Sequence, residues 1–192
     1  MGSGAVGTSR GQLGVTLIEL MVTIAVLAVI VTLAVPSFAG IINSNRLATA
    51  ANELGTSLQL ARMEAIRRNA PISTCASTDA EAGDPSCDAD TWGQWITFVD
   101  ANGNRTREDG EAVLRVSVLR DNLEVNAEDA VGSTIMFAPD GLAYADGGGL
   151  LNGSVNVCLP TRTPAENNRN VSVAFGSTIT IETGEPNEDC SK

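Results

Sequence analysis

Glu19 is the one charged residue in an apolar run that extends over residues 15–40. A carboxylate placed in hydrocarbon costs about 2.5–3.5 kcal/mol on insertion scales, so such an acid is a functional candidate in need of a positive partner. Its chemistry would be ion pairing in a dry setting; the competing physical reading is an acid that snorkels to the interface from a helix end. The other reactive groups are four cysteines, Cys75, Cys87, Cys158 and Cys190, all beyond the run. An even number on one side of an apolar segment suits an oxidising compartment and two disulfides. Four cysteines permit three pairings, and Cys75–Cys87 with Cys158–Cys190 is the pairing expected here, because each bond closes a loose loop or tail. On the chain-entropy model, loops of these lengths are worth about 3–4 kcal/mol each, as an upper figure.

Other chemistry is poorly served. The chain has no histidine, which removes the usual general base and the Ser-His and Cys-His arrangements, and no Gly-x-Ser-x-Gly or phosphate-binding glycine loop occurs. Among 23 acidic residues chance carboxylate pairs are expected and none stands out, so no catalytic residue is assigned and no enzyme activity is expected. Without histidine or Cys-x-x-Cys, no metal or other cofactor is expected. Asp100, Asn102, Asn104, Glu108 and Glu111 are spaced like a calcium loop, but Arg105 stands where that loop demands glycine; a polar hairpin tip explains the same residues. The net charge is −11, and residues 75–192 carry 20 acidic and 7 basic side chains, which repels phosphate at long range. Arg62, Arg67 and Arg68 read as a solvated helix face or as partners of Glu64. Arg162 and Arg169 are the remaining candidates for contact with nucleic acid, a weak and salt-sensitive patch at best.

Positioning these groups requires a long helix and a β-rich head. Roughly 20 apolar residues cross a bilayer as a helix, so residues 15–40 are expected to span. Residues 1–14 hold Arg10 as their only charge and should stay cytoplasmic, which faces the head outward. A secretory signal has a shorter apolar core with its small-residue cleavage site after it; here Gly14 precedes the core, so the helix should be kept. Pro36, deep in the helical pattern, removes a backbone hydrogen bond and predicts a kink or local melting. Over residues 41–70, Leu47, Ala50, Ala51, Leu54, Leu58, Ala61 and Ala65 recur at helical spacing, one amphipathic stripe to lie on a sheet. Asn69-Ala70-Pro71 supplies the stop. Seven short β patterns follow at residues 72–75, 95–99, 113–119, 135–137, 155–158, 171–174 and 179–181, separated by turn clusters such as Asn102-Gly103-Asn104 and Pro139-Asp140-Gly141. Residues 71–192 are expected to form one β-rich head.

Gly14-Val15-Thr16-Leu17-Ile18-Glu19-Leu20 resembles the class III signal of type IV pilins and type II secretion pseudopilins. Ala61-Arg62-Met63-Glu64-Ala65-Ile66-Arg67-Arg68-Asn69, Trp92-Gly93-Gln94-Trp95-Ile96-Thr97-Phe98-Val99-Asp100 and Phe137-Ala138-Pro139-Asp140-Gly141 resemble the GspH/FimT family of minor pilins, in its FimT/FimU-like branch. The resemblance implies an α+β, type IV pilin-like fold: a long N-terminal helix, transmembrane in its first half, packed on a β-rich head. It implies a leader of residues 1–14 cut after Gly14 by a prepilin peptidase, N-methylation of Val15, and a Glu19 that meets the Val15 amine of a neighbouring subunit during assembly. Pro36 matches a proline at which pilin helices bend or unwind. The implied partners are other major and minor pilins and an inner-membrane assembly platform; the implied place is the inner membrane, with the head in the periplasm, and then the pilus surface. The function implied is a structural subunit that primes or joins a type IV pilus and supports twitching, adhesion or DNA uptake, with a minor pseudopilin of type II secretion as the alternative. DNA-binding relatives carry Gly-Arg-x-Arg near the C-terminus; the matching stretch, Gly176-Ser177-Thr178-Ile179, has neither arginine, so nucleic acid is not an expected partner.

Overall fold

The computed structural model describes residues 14–119, 122–187 and 190, without the side chains of residues 33–37. The leader expected over residues 1–14 therefore lies outside the described residues except for Gly14. The chain comprises two compact units, Met1–Phe38 and Ala39–Lys192, and helix α1 (Leu17–Arg68) contributes to both.

In the first unit Leu17, Ile18, Met21, Ile24, Leu27 and Ile30 are all more than half exposed. They point in every direction around the axis, so the segment has no polar face to give to water. Among the described residues no helix is long and apolar enough to cross a membrane. This departs from the span expected over residues 15–40, because the side chains of residues 33–37 fall outside the description and the continuous described stretch, residues 15–32, is short of the roughly 20 that a bilayer needs. Pro36 is inside α1, and the kink expected there falls outside the described side chains.

In the second unit the stripe Leu47, Ala50, Ala51, Leu54, Leu58, Ala61 and Ala65 is buried, each residue at 3% exposure or less. Small alanines alternate with leucines on this face, which lets the helix sit close to the strands that cover it. The helix ends where expected: Asn69 takes a left-handed φ of 52° and the Ala70 N–H returns to the Ala65 carbonyl at 3.3 Å, a left-handed C-terminal cap.

The nine strands among the described residues are β1 (Ile72–Ala76), β2 (Gln94–Val99), β3 (Val113–Val118), β4 (Glu124–Ala127), β5 (Thr134–Phe137), β6 (Ala143–Tyr144), β7 (Gly153–Cys158), β8 (Asn168–Ala174) and β9 (Thr178–Thr183). They form two antiparallel sheets, β3-β2-β1-β5-β6 and β4-β7-β8-β9. All seven expected strands occur; β4 and β6 are additional, and both are too short for alternation to reveal them. The main core joins the helix stripe to Ile72, Trp95, Ile135, Phe137, Val155 and Val171. Behind the first sheet, Cys75, Ala80, Ile96 and Phe98 form a second small core, so β1 and β2 are buried on both faces.

Candidate functional site

The N-terminal motif is organised by Thr16. Its Oγ1 accepts from the Glu19 N–H at 3.3 Å and its carbonyl from the Leu20 N–H at 3.1 Å, which makes Thr16 the N-cap and puts Glu19 in the first turn. An acid there is favoured by the positive end of the helix dipole. Thr16 escapes the sequence reading although Thr16-x-x-Glu19 has the spacing of a capping box. Gly14 and Val15 precede the cap and are exposed. Further along, Thr23 and Thr32 donate to the Leu20 and Val29 carbonyls, both at 2.8 Å. These hydroxyls are thereby satisfied inside the helix. The Glu19 carboxylate has no partner among the described residues, and it is the polar group this segment leaves open.

The head answers the other candidates. Cys75 is bonded to Cys87 with a Cα–Cα distance of 5.5 Å, and Cys158 to Cys190 at 5.7 Å. The first bond closes the loop after β1, and the second ties the C-terminal tail to the end of β7. In the calcium-like loop the oxygens face inward to the loop's own donors. Asp100 is fully buried; its carboxylate accepts from Ser73 Oγ at 2.7 Å and from the Asn104 and Arg105 N–H groups at 3.0 and 2.9 Å. Glu108 accepts from the Asn102 and Asn104 amides, and Glu111 from the Ala101 and Glu108 N–H groups. Arg105, with φ of 65°, turns the loop where glycine would have stood, and its guanidinium donates to the Tyr144 and Ala145 carbonyls. No group of side chains able to hold a metal occurs among the described residues.

The arginines are likewise engaged. Arg67 and Arg68 both bind Glu64, at 2.6 and 2.5 Å; their hydrogen bonds hold its carboxyl down at about 2. Arg62 instead donates to the Ser177 carbonyl at 2.6 Å. Arg169 donates to the Glu166 and Asn168 carbonyls, and Arg162 lies on the loop between β7 and β8, outside any strand. The Gly176-Ser177-Thr178-Ile179 stretch forms the β8–β9 turn, with Gly176 at φ 81° and Ser177 at 60°; Ser177 is buried and its Oγ accepts from the Ala143 N–H. Its role here is to pin the turn to β6.

One buried chain of hydrogen bonds holds helix to sheet. Trp95 Nε1 donates to Ser57 Oγ, which donates to the Glu53 carbonyl, both at 2.9 Å. The Glu53 carboxylate accepts from Arg115 at 2.8 Å and Ser117 at 2.7 Å on β3. Burial raises its pKa, and these two bonds more than reverse that, leaving it lowered. Glu53 also walls a groove of about 530 Å³ with Ile42, Asn45 and Leu119. With its acid tied up this way, the groove presents packing surface without a nucleophile and base.

Comparison with known proteins follows the same lines. A family model described as type II transport protein GspH matches residues 50–177, and one described as the prokaryotic N-terminal methylation motif matches residues 9–35. Over 100 residues the chain is 37% identical to the pilin-like protein PilA1 of Thermus thermophilus, covering 51% of this chain and 54% of that protein. The chain thus spans about half the length of this curated relative. Two crystal forms of the type IV minor pilin FimU of Pseudomonas aeruginosa share the fold. One has a TM-score of 0.52 at 23% identity, over 76% of this chain and 100% of the other. The second has 0.55 at 24%, over 77% and 97%. At that identity the likeness speaks for the fold alone. The families matched are structural pilins rather than enzymes. The match runs from the buried helix stripe to the β8–β9 turn and is preceded by the methylation motif: the chain belongs to the GspH family of N-terminally methylated, pilin-like proteins.

Proposed function

We propose that the protein is a minor pilin that joins a type IV pilus, or primes its assembly, through its N-terminal helix. The observation that carries this reading is the first unit of α1: its described side chains are apolar on all sides, its threonines are satisfied internally, and its single carboxylate, Glu19, has no partner among the described residues. A helix of that kind is stable only in lipid or among other apolar helices. A prepilin peptidase removes residues 1–14, and Val15 becomes the methylated amino terminus. The amine of a neighbouring subunit's Val15 then neutralises Glu19 and sets the axial register. Before assembly residues 15–40 anchor the chain in the inner membrane, with the head in the periplasm. No step here calls for catalysis, and the role is structural.

The description of the matching family as a type II transport protein favours a second reading, a minor pseudopilin of the secretion system. The experiment compares pili sheared from a strain lacking the gene with those from strains complemented by wild type or by Glu19→Ala. Mass spectrometry of the recovered subunit gives its amino terminus. The pilus reading expects loss of pili, rescue by wild type only, and a subunit beginning at N-methylated Val15. Unchanged pili with reduced secreted enzymes support the second reading, and a subunit that retains Gly14 refutes both. Direct DNA reception is a poor fit to an acidic head whose arginines are engaged, and absence of a gel shift at low salt would exclude it.

A further inference from the structure

The β7–β8 loop, residues 159–167, lies against α1 at the first residues of the second unit. Asn43 Nδ2 donates to the Thr163 carbonyl at 2.8 Å, and a Cβ added at Gly40 would lie 3.2 Å from Thr163 Cγ2. Gly40 closes the apolar run of residues 15–40, so the loop touches the chain at the residue where that run ends. The loop is also braced from within. Thr161 Oγ1 accepts from the Thr163 N–H and donates to the Thr163 carbonyl, both at 3.2 Å. The Asn167 N–H donates to the Ala165 carbonyl and the Leu159 N–H to the Asn167 carbonyl, and Asn167 is fully buried. Pro160 and Pro164 carry no N–H. This leaves fewer backbone donors in need of water, while Pro160, Arg162, Thr163, Ala165 and Glu166 present an exposed or half-buried outer face.

Position commits this face to one occupant. With residues 15–40 in a bilayer, Gly40 stands at the edge of the hydrocarbon, and the headgroup layer beyond it is about 5–8 Å deep. A loop in contact with Gly40 lies inside that layer. Ile41 and Ile42 follow at once, 56% and 50% exposed, and the boundary between headgroups and acyl chains covers such side chains where water does not. The charges on the loop have both signs: Arg162 is its one cation and Glu166 its one acid. The acidic tail is close as well, since the Glu185 carbonyl accepts from Asn168. Net charge therefore does not draw the loop to an anionic surface. A zwitterionic phospholipid answers both signs, with its phosphate for the planar Arg162 guanidinium and its amine for the acids.

We infer that the β7–β8 loop is a membrane-surface contact: before assembly Arg162, Thr163 and Ala165 sit among zwitterionic phospholipid headgroups, with the Arg162 guanidinium on a lipid phosphate. The inference rests on the reading of residues 15–40 as a membrane anchor, and its test separates the two. The full chain is placed in phosphatidylcholine nanodiscs doped with lipid that bears a nitroxide either on the headgroup or near the end of the acyl chain, and its amide NMR signals are compared. The internal control is Gly141, which packs on Ile66, about 39 Å along α1 from Gly40 at 1.5 Å per residue. The headgroup nitroxide should erase the Arg162, Thr163 and Ala165 signals and spare Gly141. Arg162→Glu, which sets a carboxylate against the phosphate, should restore much of the loop signal. Loop signals that persist beside the headgroup nitroxide, while residues 17–32 are erased by the acyl-chain nitroxide, would overturn the inference and leave the anchor standing. Equal loss at Gly141, or loop loss unchanged by Arg162→Glu, would overturn it too. Residues 17–32 untouched by the acyl-chain nitroxide would overturn the anchor, and the inference with it.

Discussion

Ser57→Ala tests how the helix is held to the sheet. Ser57 and Trp95 are fully buried, and the serine hydroxyl stands between the indole N–H and the Glu53 carbonyl. Removing the hydroxyl leaves the indole N–H in the core without an acceptor, which costs about 1–3 kcal/mol. Alanine returns part of that through its better helix propensity, about 0.5 kcal/mol. The net expectation is a loss of about 0.5–2.5 kcal/mol. In a Trp95→Phe background the donor is gone and the serine retains only its bond to Glu53. There, Ser57→Ala should be neutral or slightly stabilising, a coupling of about 1–3 kcal/mol between the two sites. Urea unfolding of the full chain in micelles, monitored by circular dichroism and repeated for the four members of the cycle, gives the coupling directly. An equal cost of Ser57→Ala in both backgrounds would refute the proposal that the indole bond, rather than helix packing alone, makes this serine matter.

Three further expectations concern the rest of the head. Glu64 titrates at about 2 against an ordinary 4.5, held down by hydrogen bonds from Arg67 and Arg68. A lowered carboxyl adds stability that is present above its unfolded pKa and lost as pH falls through the folded one; the loss attributable to this group should fall between pH 4.5 and 2, and Glu64→Gln should remove it from the unfolding profile. Asp100→Ala strands the Ser73 hydroxyl and the Asn104 and Arg105 N–H groups and should cost about 3 kcal/mol or more, while EDTA or added calcium should leave the thermal midpoint of the wild type unmoved. Gly55→Ala gains about 0.8–1.0 kcal/mol of helix propensity against displacement of the tip of Ile181, a side chain 38% exposed and free to swing. A small rise in the unfolding midpoint is expected, and a fall would show that Ile181 is fixed in place.

The helix stripe was fully legible because burial imposes a period that few residue types can counterfeit: the residues at that spacing from Leu47 to Ala65 are the buried ones. The strands rich in Val, Ile and Phe were legible for the same reason. β4 was not, since Glu124-Val125-Asn126-Ala127 offers a single strong β-former, and β6 is defined by its pairing with Met136 and Phe137 rather than by its own residues. Arg105 could be read as wrong for a calcium loop, but its bonds to the Tyr144 and Ala145 carbonyls are long-range and left no local trace. The same holds for Arg62, whose acceptor on Ser177 lies on the β8–β9 turn. Thr16 differs in kind: its capping of α1 is written in the spacing to Glu19, but an acid inside an apolar run carries the stronger signal of an intramembrane charge and masks the cap.

That overlap bears on how Glu19 would act. A first-turn position sets the carboxylate beside the positive end of the helix dipole, which offsets part of the cost of holding it in an apolar setting before any partner arrives. The Thr16 cap also fixes the first turn, so the carboxylate is presented at a defined angle rather than from a frayed end. In the head, the buried Asp100 and the half-buried Glu53 are closed off by donors of the same chain. In the first unit the Thr23 and Thr32 hydroxyls are closed off, and among the described residues the acid is not. Thr16→Val should therefore weaken assembly with Glu19 intact, because it loosens the turn that aims the carboxylate. The cap is worth about 1 kcal/mol. If Thr16→Val pili form as well as wild type while Glu19→Ala pili do not, the acid acts by charge alone and its placement in a capped turn is incidental.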